Sequence, residues 1–284
     1  MEKRYIQKIA ELQQVSLRQA ENVYQLNEEG ATVPFMARYR KEATGNLDEV
    51  KINEIVEKIN YFKELDKRKE TVIKTIEAAG KLTPELKLRI ENSYDATELE
   101  DIYLPFKPKR KTKATAAIEK GLEPLATVIF AQSQTDLDAE AAKYVNGQVA
   151  GKEQALQGAR DIIAEWVAEN EQARNSIRHL FTSGAVITSK VLKSKKDSDE
   201  AQKYRDYFEF SERFSACPSH RMLAIRRGEK EGYLTMDISI EKEDAFESLR
   251  KIFVKGNGAS SQQVVIAVED SYERLLKPSI ENEF

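Results

Sequence analysis

"INEIVEKINYF", residues 52–62, decides the fold class. Ile52, Ile55, Val56, Ile59 and Phe62 recur at spacings of three and four, which places them on one stripe of an α-helix. Downstream, Val72, Ile73 and Ile76 extend the pattern until Gly80 stops it. Upstream, Ile6, Ile9 and Ala10 share a helical face. Ser16 is placed to cap a helix carrying Leu17, Ala20, Val23 and Leu26, and Gly30 stops that helix. Helix starts recur at Thr83-Pro84, at "DATELEDIY" and near Thr112, with Gly121 and Pro124 separating two short helices. "KEQALQGARDIIAEWVAEN" is expected to be the longest helix, with Ala155, Ala159, Ile162, Ile163 and Trp166 facing inward, and Ile177, Leu180 and Phe181 mark another.

The character changes at Gly184. "AVITSKVLK" is β-branched and strand-like, "KKDSDEAQK" reads as a polar loop or helix start, and "GYLTMDISI" alternates through Leu234, Met236, Ile238 and Ile240. Two further helical patterns follow, in "EDAFESLRKIFV" and "SQQVVIAVEDSYERLLKPSI". The expected fold is mainly α: packed helical hairpins, then a small α/β segment. The boundaries expected are a helical unit over 1–74, a helical domain with a basic loop over 75–185, and a smaller α/β segment over 186–284. No fixed-period repeat is present, which argues against a solenoid.

The 284 residues are 40% hydrophobic and 33% charged, with 45 Lys+Arg against 48 Asp+Glu and a net charge of −3. A globally basic nucleic-acid binder is excluded, so any such function must sit in a local patch. One cysteine, Cys217, permits no intrachain disulfide and fits a reducing, cytoplasmic setting. The N-terminus lacks the apolar run of a signal peptide, and no stretch approaches the length of a membrane span. Two histidines and one cysteine make no zinc site. "GNGASS" lacks the spacing of a phosphate-binding loop and reads as a linker. Ser219 is expected to cap a helix beside His220. No catalytic residue, metal or cofactor is expected.

Two cationic stretches remain. "FKPKRKTK" carries Lys107, Lys109, Arg110, Lys111 and Lys113, with Pro105 and Pro108 expected to keep its start extended. Backbone phosphates are natural partners for such a cluster, and Tyr103 and Phe106 offer stacking faces to unpaired bases. A solvated loop has the same composition. "VPFMARYRKEATGN" carries Arg38, Arg40 and Lys41, with Arg38 and Lys41 expected on one helical face. Its alternative reading is a helix packed through Phe35, Met36 and Tyr39, with its cations held in salt bridges and Glu42 placed to pair with one of them.

"VPFMARYRKEATGNLDE", "LEDIYLPFKPKRKTKATAAIEKGLEPLA", "YRDYFEFSERFSACPSHRMLAIRRGEKEGYLTMDIS" and "SYERLLKPSIENEF" resemble, in order, segments of the bacterial Tex transcription accessory proteins, which are related to eukaryotic Spt6. Members of that family are longer than this chain. After a helical N-terminal region they carry a ribonuclease-H-like domain, helix-hairpin-helix elements and an RNA-binding S1 domain. The resemblance implies the N-terminal part of such a protein, ending before the nuclease-like domain, and gives no reason to expect an enzyme. It implies a helix-turn-helix-like N-terminal unit in the first helices, up to about Lys74, and a scaffold with accessory, sequence-independent contacts to RNA or DNA. The alternative is a module that docks on RNA polymerase-associated or ribosomal proteins, or on the remaining domains of its own protein.

Overall fold

The computed structural model describes residues 2–108, 111–133 and 136–284. The chain is mainly α-helical with one small antiparallel sheet, as the periodicities require. It divides into two compact units, one up to Lys107 and one from Pro108 to Phe284. Each unit has its own hydrophobic core.

The first unit contains α1 (Lys3–Gln13), α2 (Leu17–Glu28), α3 (Val33–Tyr39), α4 (Lys41–Thr44), α5 (Glu49–Ala78), α6 (Pro84–Asn92) and α7 (Ala96–Tyr103). Helix α2 begins at a capping box. The Ser16 hydroxyl accepts from the Gln19 amide at 3.2 Å, and the Gln19 side chain accepts from the Ser16 amide at 2.9 Å. Replacing Ser16 with Ala leaves an N-terminal amide without its acceptor. It is expected to lower the stability of this unit by about 1 kcal/mol, read as a shift in denaturant midpoint.

At 30 residues, α5 is longer than the 18-residue helix over Lys152–Glu169. The expectation that the latter would be longest is therefore corrected. The apolar stripe of α5 runs unbroken through Ile52, Ile55, Ile59, Phe62, Leu65, Val72 and Ile76, but its position 69 is a lysine. Lys69 is buried within the stripe. Its amine donates to the Tyr5 hydroxyl at 3.0 Å and to the Glu91 carbonyl at 2.9 Å, while the Tyr5 hydroxyl donates to Asp66.

Burial, aided by the Arg4 charge, pushes the Lys69 amine below its ordinary value of 10.5. Burial and the bond to Asp66 push the Tyr5 phenol above 10.0. The signs oppose. Between the lowered Lys69 value and 10.5 the unfolded chain binds more protons, so stability rises with pH. Above 10.0 the unfolded chain releases the Tyr5 proton first, so stability falls. Denaturant midpoints across alkaline pH are expected to rise and then drop, and a Lys69→Met variant is expected to lack the rising limb.

The second unit contains α8 (Lys113–Glu119), α9 (Glu123–Ala131), α10 (Leu137–Ala142), α11 (Lys152–Glu169), α12 (Glu171–Gly184), β1 (Val186–Val191), β2 (Glu209–Arg213), α13 (Ser219–Lys230), β3 (Leu234–Ser239), α14 (Lys242–Phe253), α15 (Ala259–Ser271) and α16 (Lys277–Glu281). Helix α11 is central and buries Ala155, Ala159, Ile162 and Ile163. It meets the α8–α9 connection so closely that a Cβ at Gly158 would lie 2.4 Å from Leu122 Cδ1. A five-residue π-helical turn, Tyr272–Leu276, carries α15 into α16, so the helical path continues past Pro278.

The sheet has the order β2-β1-β3, all antiparallel, with Ser189 opposite Phe210 and Ile187 opposite Ile238. Strand β2, "EFSER", has no expectation to match. Residue 218, a proline, precedes α13, and Ser219 is its first residue with no side-chain cap, which corrects the role expected of that serine. Residue 74 lies inside α5, and Phe181 and Ile187, on either side of residue 185, belong to one core.

Candidate nucleic-acid interface

Helix α3 buries Met36 and Ala37 against the first core and turns its aromatics outward. Tyr39 is 72% exposed and Phe35 40% exposed. Their ring centroids are 5.5 Å apart, and the Arg40 guanidinium lies 5.6 Å from the Phe35 ring centre. The packed reading of Phe35 and Tyr39 is overturned: with Met36 and Ala37 inward, residues 35 and 39 fall on the opposite side of the helix.

Arg40 adopts φ −126° and ψ 30°, which breaks the helix between α3 and α4. Arg38 therefore lies in the last turn of one helix and Lys41 begins the next, so the expected shared face does not exist. Arg38, Arg40 and Lys41 are all exposed, and among the described residues none of them has an ion-pair partner, Glu42 included. Their backbone is nevertheless held in place. The Asn22 amide donates to the Ala43 carbonyl at 2.6 Å, Gln19 Nε2 donates to the Gly45 carbonyl at 3.2 Å, and the Thr44 hydroxyl donates to the Arg40 carbonyl at 3.1 Å. Gly45 has φ +64°, and Gln19 Nε2 lies 2.7 Å from where a Cβ would stand, so this turn needs glycine. A cleft of about 390 Å³ adjoins the patch, lined by Leu26, Gly30, Thr32, Phe35 and Arg40 among others.

The second cationic stretch is less of a unit. Lys107 belongs to the first unit, and Lys111 and Lys113 to the second. All three are exposed, without an ion-pair partner among the described residues. Lys109 and Arg110 lie outside the described residues. Thr112 caps α8, its hydroxyl accepting from the Thr115 amide at 3.0 Å. Leu104–Phe106 form a 3₁₀ turn, so Pro105 sits in a turn, and the backbone becomes extended only at Lys107.

Tyr103 does not offer an open face. It is buried in the first core, and the Arg68 guanidinium lies 5.2 Å from its ring centre. Arg68 is itself fixed by a two-pronged bond to Glu100 at 2.5 and 2.9 Å. Phe106 is half-buried against the same core. The open aromatics are thus Phe35 and Tyr39, which sequence reasoning assigned to packing. The signal for them was the pair Met36-Ala37, which supplies an inward side without them.

His179 and His220 are exposed. Burial and the Glu212 charge push the half-buried Cys217 thiol up, opposite to the activation a nucleophile needs. Among the described residues no group of His, Cys, Asp and Glu side chains could hold a metal, and no helix is long and apolar enough to cross a membrane.

A helical N-terminal unit with an exposed aromatic-cationic patch, followed by a helical unit with a small sheet, matches known proteins in both parts. The Tex-like protein N-terminal domain matches residues 3–77, and the Tex central region matches residues 132–270. The chain belongs to the Tex family of transcription accessory proteins. It is 42% identical over 281 residues to the uncharacterized protein YdcI of Bacillus subtilis, covering 98% of this chain and 39% of that protein. It is 43% identical over 220 residues to the transcriptional accessory protein Tex of Neisseria gonorrhoeae, covering 78% of this chain and 29% of that protein. It is 27% identical over 279 residues to the human S1 RNA-binding domain-containing protein 1, covering 93% of this chain and 28% of that protein. The chain spans less than half the length of these relatives.

Proposed function

We propose that this chain is a non-enzymatic scaffold of a Tex-type transcription accessory factor that contributes sequence-independent contacts to single-stranded nucleic acid. The observation that carries this reading is the α3–α4 patch: two exposed aromatic rings beside three cations that have no ion-pair partner among the described residues, in a chain with 48 acidic residues. Cations beside open rings are what an unpaired strand needs, the cations for phosphates and the rings for bases. A duplex offers its phosphates but keeps its bases stacked, so the rings discriminate between the two. Lys107, Lys109, Arg110, Lys111 and Lys113 would add further phosphate contacts. The setting is cytoplasmic, and the name of the human relative, S1 RNA-binding domain-containing protein 1, agrees with a nucleic-acid partner.

The test is a Phe35→Ala/Tyr39→Ala variant of the full chain. Stacking is worth about 1–3 kcal/mol per base, so affinity for an oligouridylate is expected to fall by about tenfold or more, with duplex DNA binding little changed. Equal losses on both ligands, or no loss on either, would contradict the role of the rings. Retention of a specific protein by the patch at physiological salt, without oligonucleotide binding, would favour a docking module instead.

A further inference from the structure

The second unit carries another cationic surface, built around the small sheet. A cleft of about 610 Å³ is floored by residues 188–191 of β1 and the adjoining residues 208–211, and walled by Lys193 and Lys196. Strand alternation puts Thr188 and Lys190 on one sheet face with Ser211 and Glu209 directly opposite them. That is the exposed face. Ile187 and Ser189 are buried, whereas Lys190, Glu209 and Ser211 are exposed.

Three lysines, Lys190, Lys193 and Lys196, therefore converge on a floor that presents two hydroxyls. Among the described residues none of the three has an ion-pair partner, not even Lys190 with Glu209 across the register. Some other cations of the same segment are paired: Lys203 with Glu231 at 2.6 Å, Arg221 with Glu212 at 2.9 Å and Arg226 with Glu229 at 3.3 Å. The wall is also held in place. The Val191 amide donates to the Phe208 carbonyl at 3.1 Å, the Leu192 amide to the Tyr233 carbonyl at 2.9 Å, and the Lys195 amide to the Leu192 carbonyl at 2.8 Å, closing the 3₁₀ turn Lys193–Lys195. Half-buried Phe208 adds an apolar side to the cleft.

We propose that this cleft receives a short segment of single-stranded nucleic acid, with Lys190, Lys193 and Lys196 on successive phosphates and the Thr188 and Ser211 hydroxyls donating to phosphate oxygens. Cations and hydroxyl donors in a pinned groove match a phosphate-sugar strand. An acidic peptide could use the same cations and hydroxyls, and the choice of a nucleic-acid strand follows the aromatic-cationic patch of the first unit. The inference rests on the nucleic-acid reading given above and adds a second, separate surface to it.

The test uses the full chain, a short oligouridylate, and a polyglutamate peptide of matching charge as competitor. In Lys190→Gln/Lys193→Gln/Lys196→Gln the affinity for oligouridylate is expected to fall by about tenfold or more. The slope of log affinity against log salt is expected to shrink by about 2, three contacts at ~0.7 each. Circular dichroism checks that the sheet is kept, and Thr188→Val/Ser211→Ala, which leaves every charge in place, is expected to weaken binding without changing the slope. An unchanged affinity and slope in the lysine variant, alongside a weakened Arg38/Arg40/Lys41 variant, would overturn this inference alone. No oligouridylate binding by the wild-type chain would overturn the functional reading as well. Loss of polyglutamate binding only, in the lysine variant, would assign the cleft to an acidic peptide and overturn the proposal.

Discussion

Reversing Arg38, Arg40 and Lys41 together to glutamate is expected to weaken the binding of single-stranded RNA by about a hundredfold at ~50 mM salt. Each lost phosphate contact removes a release of condensed counterions worth roughly 0.7 in the log-log salt slope, and three such losses compound at low salt. Within the fold the change loses the contact of the Arg40 guanidinium with the Phe35 ring. All three side chains are exposed and have no ion-pair partner among the described residues, so reversal breaks no internal pair. The turn beneath them is held by Asn22 and Gln19 through backbone carbonyls, which the substitutions leave in place. The effect should shrink as salt rises and should not depend on base sequence. A loss that persists unchanged at high salt would point to misfolding or to a contact other than phosphate.

The second large effect concerns stability. Phe62→Ala is expected to cost about 3–5 kcal/mol in the first unit. The Phe62 ring is 1% exposed, stacked on Tyr5 at 4.9 Å and in edge contact with Tyr61 at 5.2 Å and Tyr94 at 6.2 Å. Truncation leaves a cavity among rings that the long α5 holds apart, so collapse recovers little. Set against a typical total of about 5–15 kcal/mol, the loss is a large share. The same core contains Met36 and Ala37, the inward anchors of α3, so the aromatic-cationic patch depends on it. Denaturant unfolding followed by hydrogen exchange over the first unit reads the effect. A loss under about 1 kcal/mol would mean that the ring cluster carries little of the stability.

Local chemistry was the legible part of the fold. Ser16, Thr83 and Thr112 announced helix starts, and each does cap its helix through a side-chain oxygen. Strands β1 and β3 were legible because β-branched and alternating residues mark a half-buried sheet. Strand β2 was not: "EFSER" places Glu209, Ser211 and Arg213 on the exposed face of a short edge strand, so its only inward apolar residue is Phe210. The continuity of α5 up to Gly80 was legible, but the burial of Lys69 was not, because it depends on Tyr5 and on the Glu91 carbonyl, partners far away in sequence.

Of the candidate site, the positions of the cations were plain, but the orientation of the aromatics was not. Phe35 and Tyr39 have the spacing of a packed stripe, and only the burial of Met36 and Ala37 shows that the stripe points outward. Tyr103 failed in the reverse direction, since the Arg68–Glu100 pair that covers it comes from α5 and α7 together. The sheet cleft needed strand register, which brings Lys190 beside the turn carrying Lys193 and Lys196 only after β2 is in place.

The most direct measurement is the affinity of the wild-type chain for single-stranded RNA, single-stranded DNA and duplex DNA across a salt series. The account predicts binding to both single strands that falls steeply as salt rises and is indifferent to base sequence, with the duplex bound more weakly because the Phe35 and Tyr39 rings find no open bases. Affinity that is absent at low salt, or present but flat across the series, would contradict it.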